Sequence, residues 1–300
     1  MFMDFPLMSD ECLALSVSQE SDHLPRNDYS RRLLSGALEI SVRREAIDWI
    51  GKVHAHYSFG PLSAYLSINY LDRFLSFYEL PQGKAWMTQL LSVACLSLAA
   101  KMEETEVPQS LDLQIGDAKF IFEPKTIQRM ELLVLSTLGW RMRAVTPFSF
   151  TDYFLHKFNN GKSPSRSSIS RSVDLILNTI TRIDFLEFRP SEVAAAVALC
   201  ITGETHMIDA TKTLSYCNFI NQERAIRCYE VTKDMALIRR PYKSSSGSAS
   251  SVPQSPIGVL DNACQSYKSD DTVTVGSLPN SQHCSPDAKK RKINTQLPSS

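Results

Sequence analysis

"AWMTQLLSVACLSLAAKMEET", residues 85–105, opens with sixteen uncharged residues and then sets Lys101, Glu103 and Glu104 side by side, with Glu106 just beyond. Read as a helix over 84–102, the stretch is apolar on every side, and a helix apolar all round is enclosed by others. Ala94, Cys95, Ala99 and Ala100 are small enough to let those neighbours come close. The uncharged run falls short of a bilayer span and contains Thr88, Gln89, Ser92 and Ser97, so a membrane helix is not expected. Its charged end has two readings. A lysine at a helix C-terminus that reaches water complements the helix dipole, worth a few tenths of a kcal/mol. The other reading is a contact with a partner.

Working outward, Val42, Ala46, Trp49, Ile50, Val53 and Tyr57 form a stripe at spacings of three and four, which predicts an amphipathic helix over 41–57. "SFGP" stops it, and Pro61 is placed to open a second helix over 61–78. "LPQGK" separates that helix from the buried third. A short helix is predicted near 110–118, and another over 124–138, opened by Pro124 and closed by Gly139. The order then repeats: 147–158, 164–183, 190–203, about 211–218 and 221–237. The third member is again small and apolar, "SEVAAAVALCITGE" at 191–204. Two five-helix units, each around a buried third helix, predict an all-α fold built by internal duplication.

The ends differ. Residues 1–38 show no sustained period and are expected to be a mobile arm. Residues 241–300 hold fourteen serines and six prolines and are expected to be a disordered tail.

Composition narrows the function. Formal net charge is zero, which disfavours nucleic acid as the main partner. Seven cysteines, none in a Cys-x-x-Cys pair, argue against a disulfide framework or zinc module and for a reducing compartment. No secretory signal is visible, because Asp4, Asp10 and Glu11 interrupt the start. His54 and His56 point about 200° apart on a helix and cannot chelate one metal from it. There is no phosphate-binding glycine loop, no G-x-S-x-G and no H-E-x-x-H. No enzyme activity, metal or cofactor is expected.

The helices also carry a resemblance. "RREAIDWIGKVHAHY" (43–57), "NYLDRFLS" (69–76), "LAAKMEET" (98–105) and "MELLVLSTLGW" (130–140), in this order, resemble the first cyclin box, and "TPFSFTDYF" (146–154) resembles the start of the second. The match spans about 40–240, and the wording is most similar to plant D-type cyclins, regulatory subunits of cyclin-dependent kinases. It implies two five-helix cyclin boxes in tandem with disordered termini: a kinase-binding box over 39–144 and a second over 145–240. It implies a structural pair between Arg43 and Asp72, a core position for Leu90, and kinase contacts for Lys101 and Glu131 at the ends of the third and fifth helices. Met102 and Leu135 are candidates for the apolar part of that contact, with core packing as their other reading. The implied action is allosteric control of a cyclin-dependent kinase at the G1/S transition. A cyclin-fold general transcription factor and a non-activating helical scaffold for kinases are the rival readings.

The resemblance extends to smaller sites. A substrate-docking patch would fall on Val42, Ala46 and Trp49, with Glu45 intruding; Trp49 also reads as a half-buried core aromatic. The Leu-x-Cys-x-Glu motif of most plant D-type cyclins is absent around Cys12, where Asp10 and Ala14 take the outer positions. The chain therefore resembles a subgroup lacking it, and direct retinoblastoma-like binding by that route is not expected. Kinase inhibitors are further candidate partners; nucleic acid and membrane are not. In the tail, Lys289, Lys290, Arg291 and Lys292 read as a nuclear import signal, with a cytoplasmic pool left open. Ser255 and Ser285 precede prolines and are minimal proline-directed phosphorylation sites, neither with a basic residue three positions on.

Overall fold

Helices supply all the regular structure among the described residues of the computed structural model, which are 9–81, 83–115, 120–203 and 209–238. The first half is α3 (Ile40–Tyr57), α4 (Pro61–Phe77), α5 (Ala85–Glu103) and α6 (Pro124–Thr137), preceded by α1 (Asp10–Gln19) and α2 (Tyr29–Leu34). The second is α7 (Phe148–Phe158), α8 (Arg166–Thr181), α9 (Pro190–Gly203), α10 (Ala210–Leu214) and α11 (Gln222–Ile238).

Each half surrounds its third helix. In α5 every residue from Leu90 to Ala100 is buried, and in α9 every residue from Pro190 to Thr202 is. By length and composition alone α5 would pass for a membrane span, yet 67% of it is buried inside the protein. It is a core helix: Ala94, Ala99 and Ala100 are completely enclosed, and their small side chains let α3, α4 and α6 approach. Pro61 and Pro124 each occupy the first turn of their helix, where the missing N–H costs no hydrogen bond. Gly139, at φ 58°, closes α6 in the left-handed conformation that suits a residue without Cβ. The halves meet through α4 and α8: Ile180 packs against both cores, and Tyr65 of α4 sits edge-on to Phe148 at 5.8 Å.

Two expectations are corrected. No helix forms at 110–115. The chain makes a single turn there, with the Leu113 N–H donating to the Gln109 carbonyl at 3.3 Å. Leu113 is the one side chain of the turn driven fully inward. The amide of Gln114 then takes both backbone groups of Phe122, at 2.7 and 3.0 Å, and so ties this stretch to the approach to α6. Residues 116–119 lie outside the described residues.

The second correction is the arm. Residues 9–38 fold onto both halves. Ser9 caps α1 by accepting the Cys12 N–H, Leu13 enters the second core, Glu20 is buried, and Tyr29 and Leu33 enter the first core. These anchors are single residues that go to different elements, so they share no period. The tail, with Ser255, Ser285 and residues 289–292, lies outside the described residues, as do residues 1–8.

Candidate functional site

The charged end of α5 divides into inward and outward work. The Lys101 Nζ donates to Glu131 Oε1 at 2.6 Å. The Lys101 side chain is 46% exposed and that of Glu131 10%. Glu131 stands midway along α6, not at its end, beside the buried stripe of Ile127, Met130 and Val134. A carboxylate so nearly enclosed needs a partner to offset lost hydration, and Lys101 supplies it. Glu104 turns the other way. Its Oε1 accepts the Gly60 N–H at 2.8 Å and the Ser63 hydroxyl, so it caps the start of α4 from across the core. Glu103 and Glu106 are exposed.

Exposed or half-buried apolar side chains follow on the same two helices and just past α6. Met102 is exposed, and Leu135 is half-buried against the core. Sequence reasoning missed three more: Leu132, Leu133 and Trp140, the last 67% exposed. Gly139 marks the helix end in the sequence, but the exposure of Trp140 shows only in the fold. Trp140 follows Gly139 and continues its left-handed backbone at φ 62°, a conformation that costs a residue with Cβ about 1–2 kcal/mol.

Arg43 and Asp72 meet by two hydrogen bonds, Nε to Oδ1 at 2.7 Å and a terminal nitrogen to Oδ2 at 2.9 Å. Both side chains are buried. The cluster is larger than a pair. The Tyr29 hydroxyl donates to Asp72 Oδ1 at 2.9 Å. The guanidinium also donates to the Ile180 and Thr181 carbonyls, each at 2.7 Å, which satisfies the C-terminal end of α8. One arginine therefore joins α3, α4 and α8. Burial works against its charge, but Asp72 outweighs that and holds its pKa above the ordinary arginine value. Arg73, buried and donating to the Arg141 carbonyl at 2.8 Å, has no carboxylate partner among the described residues; desolvation pulls its pKa down to about 10.

The docking patch is only partly assembled. A groove of about 280 Å3 is lined by Val42, Leu38, Glu45, Leu75 and Leu80. Ala46 does not reach it: at 1% exposure it belongs to the core face of α3. Trp49 is half-buried against the same core, and its indole nitrogen has no hydrogen-bond partner among the described residues. His54 lies 3.1 Å from the Gly60 carbonyl through Nε2, while His56 is exposed. Among the described residues no three His, Cys, Asp or Glu side chains gather as a metal site.

The family model described as "Cyclin, N-terminal domain" matches residues 11–143, and "Cyclin, C-terminal domain" matches 145–254. Among curated proteins, the chain is 56% identical over 278 residues to Cyclin-D4-1 of Oryza sativa subsp. japonica, covering 90% of this chain and 76% of that one. It is 54% identical over 297 residues to Cyclin-D3-1 of the same plant, covering 97% and 86%. The chain belongs to the plant D-type cyclins. The N-terminal cyclin match begins at residue 11, so the family pattern takes in α1 and α2. Among solved structures, this cyclin shares its fold with a viral cyclin from herpesvirus saimiri, at TM-score 0.56 and 16% identity, covering 67% of this chain and 86% of that one. A chain of the yeast RNA Pol II CTD kinase CTDK-1 complex gives 0.51 and 12%, covering 87% and 89%.

Proposed function

We propose that this cyclin binds and activates a cyclin-dependent Ser/Thr kinase at the G1/S transition and performs no chemistry of its own. Membership of the D-type cyclins carries the reading, and the half-exposed Lys101–Glu131 pair is the feature that suits it. Each side chain is held by the other, so little rotamer freedom is lost on binding. Lys101 can donate to carbonyls of the kinase and Glu131 can accept its N–H groups, while Met102 and Leu135 supply apolar contact. Activation follows from tighter binding to the active arrangement of the kinase than to the inactive one. The kinase holds its own nucleotide and magnesium.

The test is a histone-type kinase assay with and without this chain. Stimulation is the expected result; binding without stimulation would replace activation with scaffolding. Salt-dependent binding to promoter DNA would favour a cyclin-fold transcription factor.

The remaining roles belong to the same proposal. Lys289, Lys290, Arg291 and Lys292 direct nuclear import, checked by a bulky reporter fusion in which only these four become alanine. The groove beside Val42 takes short apolar substrate motifs, and kinase inhibitors are further partners. Ser255 and Ser285 are secondary phosphorylation sites. Cys12 lies on helix α1, with Asp10 accepting from the Tyr153 hydroxyl at 2.9 Å, so no retinoblastoma-like grip is assigned to that segment.

A further inference from the structure

The loop from α7 to α8 reads Ser163–Pro164–Ser165–Arg166. It has what both tail serines lack, a basic residue three positions after a serine that proline follows. Upstream, the chain leaves α7 through two left-handed residues, Asn160 at φ 54° and Gly161 at φ 74°. The Gly161 N–H donates to the His156 carbonyl at 3.0 Å, and the Lys162 N–H to that of Asn159 at 3.1 Å. Downstream, Ser165 is the N-cap of α8. Its backbone is extended, at φ −69° and ψ 156°, and its hydroxyl accepts the Ser168 N–H at 3.1 Å. Ser163 stands between these fixed points, exposed and outside any helix, and Arg166 is exposed as well. Ser163 also borders a cavity of about 210 Å3 lined by Asn159, Ser165, Ser168 and Thr202.

We propose that Ser163 is a phosphoacceptor for a proline-directed Ser/Thr kinase, recognised through Pro164 and Arg166. Pro164 brings no N–H that the kinase cleft would have to satisfy. Arg166 brings a charge-assisted contact. In the reaction, Ser163 Oγ attacks the γ-phosphorus of ATP held by the kinase with its magnesium. The new O–P bond forms as the bond to the β,γ-bridging oxygen breaks. ADP leaves, and the hydroxyl proton passes to a carboxylate of the kinase.

The placement gives the phosphate a role. The first turn of α8 holds no acidic residue, although a helix N-terminus favours negative charge. A phosphate adds nearly two negative charges, two residues ahead of the cap, next to Lys162 and three residues before Arg166 in sequence. The far end of the same helix offers the Ile180 and Thr181 carbonyls to Arg43. Modification of Ser163 thus firms the helix that joins the two boxes. The inference goes beyond the proposed function, since the modifying kinase need not be the one that this chain activates.

The experiment incubates the full chain with a purified proline-directed kinase that is active without it, plus magnesium and ATP. Phosphorylated positions are mapped by mass spectrometry. Phosphate is expected on Ser163 and absent from Ser163→Ala. Arg166→Gln should lower the initial rate at Ser163 about tenfold, the size of one charge-assisted contact, and leave Ser255 and Ser285 unaffected. Hydrogen exchange in α8 should slow once Ser163 is modified. Labelling of tail serines alone, labelling of a 158–170 peptide but not the folded chain, no labelling, or an unchanged rate in Arg166→Gln would each overturn the assignment. Because the kinase is active without this chain, none of these outcomes bears on the activation reading, which the histone-type assay decides.

Discussion

Each box joins its third helix to its last by an ion pair, and the two pairs are built with opposite polarity. In the first box the cation, Lys101, sits in the last turn of α5 and meets Glu131 of α6. In the second the anion, Glu192, sits in the first turn of α9 and meets Arg224 of α11. Both signs follow the helix dipole, which favours cations at the C-terminus and anions at the N-terminus. The wiring differs. Glu192 accepts from Arg224 Nε at 2.8 Å, from a terminal nitrogen at 3.1 Å, and from the Arg189 N–H at 2.8 Å. Its side chain is 2% exposed. Arg224 also donates to the Glu187 carbonyl and lies 5.9 Å from the centre of the Phe188 ring. Glu131 and Lys101, among the described residues, share a single hydrogen bond, and the lysine is nearly half exposed. A pair whose bonding capacity is used within the fold is a structural joint. A pair with capacity left over, at the surface and beside Met102, is suited to a partner.

Charge reversal tests that contrast most severely. Lys101→Glu or Glu131→Lys should abolish co-purification with the kinase, since opposed like charges at an interface cost several kcal/mol, on the order of a thousandfold in affinity. Helical content and melting cooperativity should persist. The double reversal restores the internal pair and should still fail to bind, because it presents the wrong signs outward. Normal binding by both single variants would remove the partner reading.

Asp72→Ala comes next. It strands Arg43 in a buried site and removes the acceptor of Tyr29, so denaturant melts should show a loss of about 3 kcal/mol or more. Kinase binding should fall only as the fold is lost; wild-type melting combined with lost binding would make Asp72 interfacial. Arg224→Ala should cost about 2 kcal/mol of stability, less than a fully enclosed pair because the arginine is 35% exposed. Lys101→Ala should stay within about 1 kcal/mol of wild type. If the last two variants melt alike, the distinction between joint and surface pair fails.

The helical repeat was readable because burial and period coincide there. The buried third helices, the prolines that open α4 and α6, and the glycine that closes α6 all leave local marks. The first thirty-eight residues leave none. Leu13, Glu20, Tyr29 and Leu33 are buried singly, in places decided by distant elements, and local periodicity cannot register that. Ala46 shows the converse problem: its place in the helical stripe is correct, but the stripe is the core face and not a docking face. Lys101 and Glu131, thirty residues apart, were paired through the family resemblance and not through any local pattern. Ser163 and Pro164 were passed over in the sequence because they fall at the predicted edge of a helix, and the exposure of Ser163 and its place before the α8 cap depend on the folded loop.

Glu20 gives the finest test, because it belongs to the segment that periodicity missed and to the network that distinguishes α9 from α5. It is fully buried and accepts the backbone N–H of Ser191 and, at 3.0 Å, the Ser191 hydroxyl. Burial pushes its pKa up to about 7 from 4.5, against the pull of those two bonds. Between these values the unfolded chain has already released the proton while the folded chain keeps it. The folded state therefore binds more protons, and its stability falls as pH rises from about 4.5 to about 7. Glu20→Gln keeps an acceptor for Ser191 but cannot ionise. Relative to this variant, wild type should lose on the order of 1–2 kcal/mol between pH 5 and pH 7, read as a difference in denaturant midpoints, and the gap should stop widening above about pH 8. Two parallel pH profiles would mean that Glu20 is already ionised in the fold below pH 5, with the Ser191 bonds and the α9 dipole outweighing its burial. The arm would then be held to the second box by charge at every physiological pH, and α9 would carry two permanent carboxylates at its N-terminus where α5 carries one cation at its C-terminus.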